Sequence, residues 1–190
     1  MFIDICIPRG NELALIEQAR VLGTRQLLFL YDALPEKRIE GIRYGTVSDT
    51  LKKQGGVISA TSNVSRGNVE DKRIRLMFNF ENSQRPDSLH YRNSGLNQVL
   101  CKIIRERRKI ISVSFQNILS SQRREIAFGR IMQNIRLARK YKCSVSVASF
   151  AREPHELRAA KELYSFMVCM GQDHAEAMKS LSALSESLSN

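Results

Sequence analysis

The side chains in this sequence that could do chemistry are three histidines, four cysteines and the carboxylates near the first two strands. Metal-dependent phosphoester hydrolysis needs several His and carboxylate ligands converging at strand ends to hold two or more ions. His90, His155 and His174 each lack a second His or Cys at a metal-ligand spacing, so surface or structural roles are expected for them. Asp4 lies on the first strand and is expected to hydrogen-bond within the fold, while Asp32 ends the second. Cys6, Cys101, Cys143 and Cys169 lie far apart with no CxxC pair, which predicts buried, reduced thiols rather than a zinc site or a disulfide. No Ser or Cys carries the flanking pattern of an activated nucleophile. These residues predict no catalytic group, no metal site and no cofactor held by the chain itself.

The charge is more informative. Lys and Arg number 30 against 19 Asp and Glu, a net of +11. A balance this basic points to a polyanion, because each neutralised phosphate releases counterions. No apolar run is long enough to span a bilayer, so no membrane partner is expected. Between Lys102 and Lys142 there are twelve Lys and Arg and two acids, Glu106 and Glu125. Arg105, Arg107, Arg108 and Lys109 gather before a strand, and Arg123 and Arg124 open the next helix. Arg130, Arg136 and Lys140 fall off that helix's apolar face on a 3.6-residue wheel. Phe128, Tyr141 and Tyr164 fall on core faces, which argues against a stacking platform and for recognition of folded RNA by shape and phosphate contacts.

The elements that must position these residues alternate. Residues 2–7 and 26–31 read as strands around a helix that ends at Gly23, a βαβ unit implying a parallel sheet. Residues 35–45 form a charged stretch of undefined state, and Thr50 to Gln54 fits a helical turn. Strands are predicted at 57–61, 73–80 and 88–91, with a loop over 62–72. A helix over 94–107, a strand at 110–115, a helix over 122–141 and a strand at 143–149 follow. Pro154 is expected to open a helix that Gly171 closes, and Asp173 to cap the last one. Seven strands in βα alternation fit a TIM-like α/β barrel with a shortened, irregular middle. An open doubly wound sheet is the alternative, without support from any Gly-rich phosphate loop. One barrel domain over 1–184 with a frayed Ser-rich tail over 185–190 is expected. The N-terminal run Met1 to Pro8 carries an acid where a leader would carry bases, predicting an intracellular, cytoplasmic protein, or a nuclear one if the source is eukaryotic.

Several segments resemble the ribonuclease P protein component 3 family, the archaeal relatives of the eukaryotic thirty-kilodalton subunit. They are Arg92 to Leu100, the helix Arg130 to Lys142, the strand Val145 to Ser149, His155 to Leu163 and Gly171 to Ser182. The resemblance implies a barrel related to the polymerase and histidinol phosphatase metal phosphoesterases but without their metal site. Where those enzymes carry His-x-His, this chain reads Asp4-Ile5-Cys6. It further implies an RNase P subunit that binds the catalytic RNA, with precursor tRNA reached through the holoenzyme. A small ferredoxin-like protein subunit and other RNase P proteins are the implied partners, and Mg²⁺ is required by the RNA. By position it implies RNA contacts at Arg92, Arg107, Arg158, Lys161 and Lys179. The family's lysine in the last helix falls where this chain has Met178, and residues 33–87 are shorter than the family's. The alternatives are a metal-dependent phosphoesterase with an unusual ligand set and a general basic RNA-binding scaffold.

Overall fold

A computed structural model describes residues 1–47 and 57–189. Seven strands, β1 (Asp4–Cys6), β2 (Leu27–Tyr31), β3 (Arg43–Val47), β4 (Ile58–Thr61), β5 (Leu76–Phe78), β6 (Ile110–Ser114) and β7 (Ser144–Ala148), form one sheet in sequential order. Every neighbouring pair is parallel. Beyond β7 the sheet nearly closes on β1, through a bridge between Cys6 and Ala151 in which the Ile7 N–H donates to the Ala151 carbonyl at 2.8 Å. The architecture is the TIM-like barrel that the alternation predicts.

Seven α-helices join the strands among the described residues: α1 (Glu12–Val21), α2 (Arg66–Glu70), α3 (Gln98–Glu106), α4 (Phe115–Ser120), α5 (Arg124–Tyr141), α6 (Ala160–Cys169) and α7 (His174–Ser189). The strand count agrees with the sequence reading, but one strand differs. Ser88 to Tyr91 is a tight turn closed by the Ser88 N–H on the Tyr91 carbonyl, and the seventh strand is β3, inside the charged stretch. Gly45 explains why β3 carries no apolar run. A Cβ there would sit 2.5 Å from Leu30 Cδ2 and 2.8 Å from the Ile58 carbonyl oxygen, so the flanking strands require its absence. The loop expected over 62–72 contains α2, and α4 follows β6 directly. Pro154 opens only a 3₁₀ turn (Pro154–Glu156), with α6 starting at Ala160. The helical turn expected over Thr50 to Gln54 lies outside the described residues.

The barrel interior is filled by strand side chains, among them Ile5, Leu28, Leu30, Ala60, Leu76 and Ile110, with Val47 of β3 packed against them. Phe78 and Phe150 stack within it, with ring centroids 4.7 Å apart. Leu184 joins the same cluster and Leu188 packs against it. Ser185 Oγ donates to the Met1 carbonyl and Arg75 Nη2 to Ser187 Oγ at 3.0 Å. Both partners lie just before strand starts, so α7 covers the end of the barrel where strands begin. The segment expected to fray from 185 is helical through Ser189.

Asp4 has a specific place in this closure. Its carboxylate accepts from the Ile5 N–H at 2.9 Å, the Ser149 N–H at 2.7 Å and the Ser149 hydroxyl at 2.7 Å, joining β1 to the chain just past β7. Burial pushes its pKa up to about 6, and the hydrogen bonds to Ser149 and Ile5 only partly oppose this. The folded state therefore holds an extra proton between about pH 4 and pH 6. Stability from this group is greatest below that window, falls as pH rises through it, and is flat above. The difference is on the order of 3 kcal/mol. Denaturation of Asp4→Asn between pH 4 and 8 should lose this slope; an unchanged slope would assign it to another group.

Candidate nucleic-acid interface

Helix α5 organises the outer face where the bases concentrate. The chain leaving β5 descends alongside α5 in the same direction. Arg130 holds residues 81–87, Gln133 and Asn134 hold 92–94, and the Tyr141 hydroxyl bonds Gln98 at the start of α3. Gln133 and Arg92 bond reciprocally: the Arg92 N–H donates to Gln133 Oε1 at 3.0 Å, and Gln133 Nε2 donates to the Arg92 carbonyl at 2.7 Å.

Arg130 departs from the sequence reading. It is 6% exposed, not on a solvated face. Its guanidinium donates to the carbonyls of Glu81, Ser83 and Arg85 at 2.7–2.8 Å and to Asp87 Oδ1 at 2.9 Å. It is therefore withdrawn from the RNA-contacting set and is a positioning residue. Asp87 links this clamp to the surface, accepting also from the Asn93 N–H at 2.9 Å and from Arg92 Nη1 at 3.2 Å. Partial burial works against the Asp87 charge, but these donors outweigh it and hold its carboxyl below the usual range.

Lys109 turns inward as well. It is 1% exposed, and its ammonium caps α2 by donating to the carbonyls of Asp71 and Ile74. Desolvation pulls its pKa down to about 8. Arg139 ion-pairs with Glu176 on α7 at 2.5 Å. The remaining bases of the run face solvent. Arg105, Arg107 and Arg108, at the end of α3 just before β6, make no side-chain hydrogen bond or ion pair among the described residues; nor do Arg136, Lys161 and Lys179. Arg123 pairs loosely with Glu125 at 3.4 Å, and Arg124 donates to the Leu119 carbonyl at 3.2 Å.

These bases do not share one mouth of the barrel. Arg123 and Arg124 follow β6 and lie where strands end; Arg105 to Arg108 precede β6 and lie where strands begin. Between them run Arg92, Arg136 and Lys140, so the charge forms a band along the outside of the barrel. Arg158 and Lys161 stand apart, beyond β7. The Arg158 guanidinium lies 5.2 Å from the Phe115 ring centroid and donates to the His155 and Leu157 carbonyls.

Along the band lies a groove of about 1280 Å³ whose lining includes Arg66, Arg85, Arg92, Lys140, Tyr91 and Tyr141. Asn and Gln side chains supply much of the rest, and among the described residues no Asp or Glu lines it. Arg66 and Arg85 escaped the sequence reading because each is isolated in a stretch that reads only as loop or turn. Tyr91 is 60% exposed, whereas Tyr141 is half-buried with Lys140 Nζ 5.7 Å from its ring centroid. Arg92 lies across Gly129 of α5, where a Cβ would come 2.3 Å from Arg92 Nε. Gly129→Ala should therefore stabilise α5 by up to about 1 kcal/mol while displacing Arg92. RNA affinity should fall with no loss of melting temperature, and unchanged affinity would show that Arg92 does not act from this seat.

The barrel's strand-end mouth holds a cavity of about 660 Å³, lined in part by Arg9, Asp32, Arg152, Asn79 and Gln116. Among the described residues no group of three or more His, Cys, Asp or Glu is placed to hold a metal. His90 is exposed in its turn, His155 is exposed in the 3₁₀ turn, and His174 Nδ1 bonds the Tyr164 hydroxyl at 2.8 Å. All four cysteines are free thiols. Cys6 and Cys101 are buried as expected, but Cys143 is half-buried and Cys169 exposed. No described helix is long and apolar enough to cross a membrane.

No protein-family profile matches the chain. Ribonuclease P protein component 3 of Methanosarcina acetivorans is 32% identical over 99 residues, covering 51% of this chain and 41% of that protein. The Methanosarcina barkeri protein of the same name is 29% identical over 140 residues, 73% of this chain and 54% of that protein. The Methanosarcina mazei protein is 33% identical over 95 residues, 49% and 40% respectively. The chain spans about half the length, or less, of these curated relatives. A chain from a cryo-EM structure of archaeal ribonuclease P with mature tRNA superimposes with a TM-score of 0.78 at 16% identity, over 98% of this chain and 90% of that one. The resemblance read from the sequence segments is thus borne out by relatives that carry the family's name, and the fold by a barrel of the same shape.

Proposed function

We propose that this chain is a protein subunit of ribonuclease P, which binds the catalytic RNA and supports its removal of 5′ leaders from precursor tRNA. The observation that carries the reading is the likeness to ribonuclease P protein component 3. The exposed band of bases is what an RNA partner requires, since phosphate contacts supply affinity and fix orientation. Arg92, Arg105, Arg107, Arg108, Arg123, Arg124, Arg136, Lys140, Arg158, Lys161 and Lys179 are the phosphate contacts of this reading, with Arg130 removed. The chain acts as one barrel domain, in the cytoplasm, beside a small ferredoxin-like subunit and other RNase P proteins. It supplies charge rather than chemistry: its bases screen the folded RNA, and the Mg²⁺ ions that do the hydrolysis belong to that RNA.

Competition between RNase P RNA and bulk tRNA for the chain at physiological salt tests the proposal. Preference for RNase P RNA is expected. Equal affinity with a steep salt dependence would make the chain a general basic scaffold instead.

A further inference from the structure

The groove beside α5 differs from the rest of the basic band in what stands at its rim. The turn Ser88 to Tyr91 presents Leu89 at 93% exposure and Tyr91 at 60%, with His90 exposed between them. The turn thus sets an aliphatic, an imidazole and a phenol side by side in water, where a partner can reach all three. Its base is fixed. The Ser88 N–H closes the turn on the Tyr91 carbonyl at 2.9 Å, and Asp87 immediately before it is held by Arg130 and the Asn93 N–H. The tip is thus exposed while the buried Arg130 behind it fixes its base, so little order has to be created when it is used.

Behind the tip the groove carries bases, amides and apolar side chains and, among the described residues, no acid. Arg85 and Arg92 flank the turn in sequence, and Lys140 and Arg66, the latter ion-paired with Glu70 at 2.8 Å, also line the groove. The amides of Gln133, Asn93 and Asn97 hold the wall in place through bonds within the fold, and the guanidinium groups beside them suit phosphates. A-form duplex hides its base faces, and its deep major groove admits no side chain; unpaired nucleotides offer a face to stack.

We infer that this groove takes a single-stranded RNA segment, with one or more bases unstacked onto Tyr91 and His90 while Arg66, Arg85, Arg92 and Lys140 follow the phosphates. The inference rests on the RNA-binding reading above and adds the class of RNA bound at this face. The same exposed tip is open to a protein, but the bases behind it, with no acid beside them among the described lining residues, match a polyanion.

Fluorescence anisotropy with the full chain tests it, using a labelled single-stranded RNA of about twelve nucleotides and a blunt RNA duplex of the same length. The single strand should bind more tightly, and Tyr91→Ala should weaken it about tenfold while leaving the duplex unchanged. Tyr91→Phe, which keeps the ring, should restore single-strand affinity. Tyr91 is exposed enough that melting temperature should not change in either variant. Tighter binding of the duplex, or full single-strand affinity in Tyr91→Ala, would overturn the inference and leave the RNA-binding reading standing. Absence of binding to either RNA by the unsubstituted chain would sink that reading itself. Intact RNA affinity in Tyr91→Ala with failed association to the other RNase P proteins would assign the turn to a protein partner.

Discussion

Arg130→Ala should destabilise the protein by about 3–5 kcal/mol and abolish the ordered groove. The guanidinium is buried and satisfies three backbone carbonyls and one carboxylate. Truncation leaves those carbonyls unpaired and takes from Asp87 the more buried of its two arginine partners, so buried polar groups lose their donors at one stroke. Asp87 also holds Arg92 and the Asn93 N–H, so the damage should travel outward from the clamp to the rim. Arg130→Lys should recover only part of the loss, because one ammonium cannot replace a planar fork bonding four groups. Thermal denaturation gives the first number, and hydrogen exchange of residues 81–94 shows where the loosening occurs. A stability change under 1 kcal/mol would mean that the loop holds without its clamp.

Phe150→Ala should cost a similar amount, about 3–5 kcal/mol, for a different reason. Phe150 is 1% exposed and stacks on Phe78 inside the barrel. Removing it leaves a void that the surrounding strands, fixed by six parallel pairings and the Asp4 closure, cannot collapse to fill. For a chain of this length the melting temperature should fall by roughly 10 °C. RNA affinity measured well below that temperature should change little, since the exposed band lies outside the barrel. A loss of affinity larger than the loss of stability would contradict that separation.

The contrast between these two residues shows what the sequence could disclose. The interior residues of β1, β2 and β6 announce themselves as short apolar runs, and such runs with helices between them suffice for a parallel barrel, whereas Phe150 falls one residue past the strand expected over 143–149. β3 does not announce itself, because Arg43, Gly45 and Thr46 break the apolar pattern. Gly45 is there for the close approach of its neighbours, a constraint that exists only once the sheet is assembled. The tight turn at 88–91 resembles a strand in sequence because Leu89 and Tyr91 alternate with polar residues. Its apolar residues in fact face water.

The site was legible in total charge but not in which charges are free. A helical wheel places Arg130 off the apolar face of α5 correctly, yet what packs over that position is a loop more than forty residues away in sequence. Lys109 is the same case, since its ammonium finds carbonyls around 35 residues earlier. Periodicity carries no information about buried polar groups satisfied by distant backbone. Tyr91 was invisible for the converse reason, as an aromatic residue in a short alternating segment reads as core. Phe128, Tyr141 and Tyr164 on core faces predict no aromatic platform, yet the exposed Tyr91 and the half-buried Tyr141 both line the groove.

The central claim is that this chain supports an RNA catalyst and performs no hydrolysis of its own. The most direct measurement is cleavage of precursor tRNA at limiting Mg²⁺ by cognate RNase P RNA and the other RNase P proteins, with and without this chain. The chain should raise the rate and lower the Mg²⁺ needed, and mixtures lacking the RNA should cleave nothing. An unchanged rate and Mg²⁺ requirement, or cleavage without the RNA, would contradict the account.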